Sequence, residues 1–358
     1  MDVVAIDWSG RATGAERFLW TAHVRDGRLL ALEDGRDRTA AIDAVITLGG
    51  RCDALLVGLD FSFSFPAWWC AARGWRTAPE VWAAMHDEGE GLLAACAPPL
   101  WGRPGTRAQT LGPPLRRTEA RHPGAKSTFQ IGGAGAVGTG AVRGMPNLLR
   151  LRDAGFAVWP FDPAGPRTVV EVYPRTAAAV LARAGASAVA CRAASRARTP
   201  ADTRGPDPPM VARADRDASG ARTPADTPEP DAPTTARAGR DQSGAWTGAD
   251  TARPGGGHWT TPADRVLVKG REDHRRAFLA AHLADQDAAL LERAARSEDA
   301  FDATVAAFAL AHDVATTGAP AARSCSGPAP GPRRAALPVR VDPTTRIEGE
   351  ILPAPPGP

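Results

Sequence analysis

Lysine is almost missing. Lys126 and Lys269 are its only occurrences, although lysine and arginine together number 43. With 37 glycines, 33 prolines and abundant alanine, this bias matches the drift of a GC-rich coding sequence. A lysine that persists against such drift points to a need for a compact ammonium rather than a guanidinium. The same reasoning applies to the single tyrosine, Tyr173. The five cysteines (Cys52, Cys70, Cys96, Cys191 and Cys325) form no C-x-x-C pair and are odd in number. That argues against a disulfide framework or a zinc site and suits a reducing compartment. No run is long and apolar enough to span a bilayer, and "MDVVAIDWSG" carries acids where a signal peptide needs a basic flank. A soluble, cytoplasmic chain with no membrane partner is the expectation.

A net charge of +3 over 358 residues permits a nucleic-acid partner without requiring one. The length allows one large or two modest domains. Arg103, Arg107, Arg116, Arg117, Arg121 and Lys126 crowd one segment broken by proline and glycine. This is either a solvated loop or a phosphate-binding patch.

Low complexity divides the chain. From Ala188 to Gly257, three similar passages end at Thr203, Thr227 and Thr251, a period of 24. They lack the apolar positions by which stacked repeats build a core, so a disordered insert without catalytic content is predicted. Residues 1–187 then form the first part of a domain, and the helices of 258–316 complete it. A Pro/Ala-rich linker and a short terminal segment, "RIEGEIL", occupy 317–358. Outside the insert the pattern is α/β. Strands are expected at "DVVAID", in a hairpin around Asp26–Gly27, at "DALLVGLDFSF" and at "RTVVEVYP"; helices at "RTAAIDAVITLGG", "EDHRRAFLAAHLADQ" and "SEDAFDATVAAFALAHDVA". Together these give a mixed sheet with helices packed on it.

"QIGGAGAVGTG" carries Gly133, Gly135 and Gly138 in the G-x-G-x-x-G spacing, and Asp162 follows at a distance suited to a ribose. A dinucleotide fingerprint also needs a buried strand before it and a helix opening within the glycines. "AKSTFQI" is only half apolar, and Pro146 favours a helix start well past the last glycine. Neither NAD nor FAD is expected. His274 and His282 lack zinc-helix spacing, and Trp68 and Trp69 suit a core at a strand end.

Carboxylates stand where burial normally excludes them. Asp7 and Asp60 end apolar strands, Glu171 interrupts a β-branched run, and Asp299 and Asp302 share a helical face. Each has a plainer reading: a strand-end Asp can form a turn, Glu171 can face solvent on an edge strand, and Asp299 can favour a helix start capped by Ser297. Asp302 lies beyond the first helical turn among alanines, where an unpaired carboxylate is costly. Acids converging on one sheet edge suit Mg²⁺ or Mn²⁺.

The order of strands and acids, closed by a helical D-x-x-D, resembles the ribonuclease H-like fold. More closely, "AIDWSG", "GLDFSFSFP", "FQIGGAGAVGTGAVRGMPNLLRL", "VVEVYP", "SEDAFDATVAA" and "EGEIL" together resemble the DUF429 family of predicted ribonuclease H-like nucleases. "EGEIL" departs from an "EGWI"-type ending. The resemblance covers the chain apart from its two inserts and implies an α/β, ribonuclease H-like mixed sheet flanked by helices. It also makes the glycine run a segment between the fourth and fifth strands, either binding phosphate through Gly133, Gly135 and Gly138 or forming a tight crossing. Lys126 and Arg143 are further phosphate-binding candidates.

The leading expectation is a two-metal nuclease acting on nucleic acid. Asp7 would bridge the cations; Asp60, Asp302 and either Asp299 or Glu171 would hold them, and Lys269 or Lys126 would neutralise phosphate. Alternatives are a non-catalytic nucleic-acid-binding module of the same fold, and a phosphotransferase of the actin/sugar-kinase type. Such phosphotransferases need two full-sized domains, and this chain is short for that.

Overall fold

Strand β1 (Asp2–Asp7) forms where β-branched and apolar residues run unbroken, and it is buried along its whole length. Its side chains alternate between two cores, as a strand period of two dictates: Val4 and Ile6 enter one, Val3 and Ala5 the other. A computed structural model of the chain describes residues 1–133, 135–184, 267–317, 347–349 and 351–352. All belong to one unit, Met1–Ala193 with Gly257–Pro358; a second unit is Ala194–Gly256. The insert expected at 188–257 and the Pro/Ala-rich residues 318–332 lie outside the described residues.

β2 (Trp20–Arg25) and β3 (Arg28–Glu33) form the expected hairpin. Asp26 and Gly27 both take positive φ, 50° and 78°, as a two-residue turn matching strand twist requires. β2 runs antiparallel to β1, while β4 (Leu55–Leu59) lies parallel on its other side, with Ile6 opposite Leu59. β6 (Arg167–Val172) is parallel to β4. Two short strands, β5 (Ala157–Val158) and β7 (Ile351–Leu352), pair with successive halves of β6. The molecule is thus α/β, with a mixed seven-stranded sheet ordered β3-β2-β1-β4-β6-β5 and β7 on β6. The run "FAVWPFD" contributes only the two residues of β5. Asp162 turns back there, accepting from the Val158 amide at 3.0 Å and pairing with Arg152.

One face of the sheet carries α1 (Arg38–Gly49), α3 (Ala78–Ala95), α5 (Gly138–Gly144) and α6 (Pro146–Asp153). Asp37 caps α1, accepting from the Ala40 amide at 2.8 Å. Short helices α2 (Ala67–Ala72) and α4 (Arg117–Arg121) lie in the long connection after β4. Facing the other core are α7, helical over 174–184, α8 (Glu272–His282), α9 (Ala288–Arg296) and α10 (Glu298–Thr317). Small residues let α10 lie close to the sheet: Ala303, Ala306 and Ala307 are buried, and a Cβ on Gly58 would stand 2.6 Å from Leu310.

The glycine run corrects one expectation. A helix does open within the glycines, at Gly138, and Pro146 starts a second helix rather than the first. Close packing overrides the poor helix propensity of glycine here. A Cβ on Gly138 would meet the Thr128 carbonyl at 2.3 Å, and one on Gly144 would meet the Phe61 ring at 2.6 Å. Among the described residues no buried strand precedes the loop, and Gln130 forms an isolated bridge with Trp101.

Candidate functional site

Because β1 and β4 are parallel neighbours in register, their final residues meet at one edge. The Asp60 amide donates to the Ile6 carbonyl at 3.1 Å, which sets Asp60 beside Asp7 at the strand ends. Asp302 reaches the same place from α10 and is 8% exposed. Its Oδ2 accepts from Lys269 Nζ; its Oδ1 is buried without a partner. Asp299, one turn earlier, is half-buried.

Burial and mutual repulsion set the electrostatics. Burial, then Asp60, Asp302 and Asp299, hold the Asp7 carboxyl well above the usual range, against the pull of Lys269. Asp60 is pushed up to about 7 by burial and Asp302, and Asp302 to about 6 by burial despite Lys269. Burial and Glu298 also raise Asp299. Burial alone would lower Lys269, but Asp302, Asp60 and Asp7 outweigh it and raise it. Tyr173, beyond the end of β6, feels Asp60 and Lys269 as well as its own burial. The turn-former and capping accounts do not explain this shared field. Ser297 nevertheless caps α10, accepting from the Ala300 amide at 3.3 Å.

Lys269 is held in place by a residue that sequence reasoning passed over. Arg275, 5% exposed on α8, donates to the Lys269 carbonyl, to Ala295 at 2.8 Å and to Arg296 at 3.3 Å. One guanidinium therefore ties the turn carrying Lys269 to the end of α9, just ahead of Asp302. Its only advance sign was an arginine among the apolar positions of a helix.

Glu171 belongs to a neighbouring network. It is on an internal strand and 3% exposed, so the solvent-edge reading is wrong. Its oxygens accept from both terminal nitrogens of Arg116 and from the Phe63 amide. Arg116, expected in a basic surface patch, is fully buried, because Glu119, Glu171 and the Glu348 carbonyl surround its guanidinium. Glu119 also accepts from Ser62 and Thr128. Glu119 and Glu348 were not singled out in the sequence, and Arg116 was read there only as part of a basic segment.

The glycine segment borders the site through the loop after β1. A Cβ on Gly10 would meet the Gly140 amide at 2.4 Å, so the loop after β1 and the first turn of α5 touch backbone to backbone. Gly133 and Gly135 take φ of 77°, and the stem of exposed Lys126 lies over Gly135. Arg143 is committed elsewhere, to both oxygens of Glu90 and to the Gly10 carbonyl. His274 Nδ1 accepts from the Val268 amide, His282 is half-buried, and Trp69 is in the core.

Among the described residues, no three His, Cys, Asp or Glu side chains are gathered closely enough to hold a metal ion, and no helix is long and apolar enough to cross a membrane. Cys52, Cys70 and Cys96 are free thiols. No family model matches the chain, and neither does any curated protein or solved structure.

Proposed function

We propose that this chain is a metal-dependent phosphodiesterase, a nuclease of ribonuclease H-like fold and of the DUF429 family, working at Asp7, Asp60 and Asp302 with Mg²⁺ or Mn²⁺. The observation that carries the reading is the convergence on one sheet edge of buried Asp7, half-buried Asp60 and buried Asp302, with the Lys269 ammonium paired to Asp302. Supporting it are the sheet order, with an antiparallel hairpin beside the first strand, and acids at the ends of the first and fourth strands.

The residues fit a hard cation. All donors are carboxylate oxygens, and Mg²⁺ is commonly held by only one or two carboxylates, its other positions filled by water and phosphate. Asp7 and Asp60 can serve as that pair. The buried Oδ1 of Asp302 is a further acceptor without a partner. A bound divalent ion would polarise the phosphoryl oxygen and lower the pKa of water. Lys269 provides a point charge for phosphate, and Lys126 a second one at the glycine loop. Glu171, saturated by Arg116, supports the loop after β4 through the Phe63 amide. A cytoplasmic setting belongs to the same proposal, on the unpaired cysteines.

Thermal melts of wild type, Asp7→Asn and Asp60→Asn, with and without Mn²⁺, test the site. Wild type should gain stability with Mn²⁺ concentration, as a ligand binding only the folded state requires. Asp7→Asn should lose that gain while keeping or raising metal-free stability, since the fold already disfavours its charge. Equal metal shifts in all three proteins would rule the site out. A parallel screen of single- and double-stranded DNA and RNA with Mn²⁺, beside ATP hydrolysis, tests the substrate. Nucleic-acid retention without any metal shift would point to the non-catalytic module.

A further inference from the structure

Two cations cannot both be accommodated as simply as one. Asp302 Oδ2 already holds the Lys269 ammonium, which also lies in the field of Asp60 and Asp7. That ammonium is not a chance visitor from a long surface side chain. Arg275 fixes the Lys269 carbonyl from a buried position, and the Lys269 side chain is only 25% exposed. Charge points the same way. With Asp7, Asp60 and Asp302 ionised around a bound ion, one ammonium leaves two negative charges, which a single divalent ion neutralises. A second divalent ion would leave the buried site net positive, apart from what Asp299 and a substrate phosphate supply. The ligand arrangement agrees as well. No three acids gather as a closed metal cage among the described residues, whereas Asp7 and Asp60 end neighbouring parallel strands in register.

We propose that Lys269 is a built-in cation standing where a second metal ion would bind, so that the site takes one divalent ion, at Asp7 and Asp60, rather than two. This rests on the reading of the carboxylates as a metal site and changes its chemistry: one half of the phosphate is met by the metal and the other by an ammonium. Asp302 is then a positioning residue, holding Lys269 through Oδ2. The rarity of lysine in this chain has a physical reason at this position, because a broad, planar guanidinium would pair less closely with Asp302 than a compact point charge does.

Mn²⁺ stoichiometry, read by calorimetric titration of the full chain and by the loss of free-Mn²⁺ electron spin resonance signal, tests it. Wild type should bind one Mn²⁺ per chain. Lys269→Met, which removes the charge and keeps much of the stem, should bind two. Lys269→Arg should remain at one, with weaker stabilisation by Mn²⁺. Two ions in wild type, or one in a folded Lys269→Met protein, would overturn the proposal while leaving the metal site standing. If Lys269→Met does not fold, the wild-type and Lys269→Arg counts still decide. No Mn²⁺ bound to any of the proteins would instead remove the metal-site reading on which this rests.

Discussion

Burial decides the charge state of His122, which is 2% exposed and shares a 2.9 Å hydrogen bond between Nδ1 and Thr176. Its Nε2 is buried without a partner. Desolvation, then the nearby Arg121 and Arg116, push its pKa down from 6.5 to about 4. The fold therefore keeps His122 neutral at a pH where the unfolded chain protonates it. The sign follows: its contribution to stability is fully present above about pH 6.5 and is lost as pH falls towards 4. Its size is at most about 3.5 kcal/mol, since each tenfold change in proton affinity is worth about 1.4 kcal/mol. His122→Gln keeps a side chain able to reach Thr176 but does not titrate. In urea melts, wild type should lose stability relative to this variant between pH 6.5 and 4; parallel pH curves would mean that His122 titrates freely in the fold. At this scale, rarity was informative for some residues and silent for others. Lys269 stood out as one of two lysines and sits among the carboxylates, while Lys126, equally rare, is exposed. His122 carried no sequence signal, since its environment is assembled by arginines and a threonine brought together only in the fold.

Helix α5 exists because its glycines allow contact, not because they favour a helix. Gly144 touches the Phe61 ring at the face where a Cβ would stand, and Phe61 directly follows Asp60. Gly144→Ala should therefore cost about 1–3 kcal/mol through overpacking. Gly91 in α3 is the contrasting case: nothing lies within 4 Å of its missing Cβ. Gly91→Ala should stabilise by up to about 1 kcal/mol, by helix propensity alone. Chemical denaturation of both variants checks the pair, and a neutral Gly144→Ala would break the account of α5. Elements like α5 mark where sequence reading ends. β1, the β2–β3 hairpin, β4, β6, α1 and α10 were legible because their periodicity is local and their turn and cap residues are adjacent. α5 was not, because helix-breaking glycines were weighed without the Phe61 and Thr128 contacts that select them. The carboxylates at the ends of β1 and β4 were legible as charges in apolar runs. That Glu171 belongs to Arg116 was not: its partner is 55 residues away, and the Glu348 carbonyl that completes the site of Arg116 is 232 away.

At the scale of the molecule, residues 347–349 and 351–352 are tied to the long connection after β4. Glu348 is 5% exposed and accepts from the Ala67 amide at the start of α2 and the Arg117 amide at the start of α4, each at 2.8 Å. Its carbonyl takes Arg116 Nη1 at 2.7 Å, and three residues later the Ile351 amide donates to Thr118 at 3.0 Å. β7 then extends the sheet beside Glu171, behind the carboxylate site. Two changes of very different size should consequently have opposite effects. Deleting 188–257 removes a segment whose alanine, arginine, aspartate, threonine and proline cannot contribute a core, while both hydrophobic layers draw on residues outside it. Closure entropy depends only logarithmically on loop length, so that deletion should leave thermal stability and the Mn²⁺ shift essentially unchanged. Glu348→Ala changes one side chain yet leaves two helix-start donors without their acceptor beside a fully buried arginine. It should cost about 1–3 kcal/mol, the range for partly buried amides left unpaired. It should also weaken the hold of α4 on Arg116, and through Glu171 and Phe63 that of the loop following Asp60. Melts of the deletion and the point variant, each with and without Mn²⁺, separate the two effects. A destabilised deletion beside an unaffected Glu348→Ala protein would mean that the insert, not the terminal segment, completes the fold.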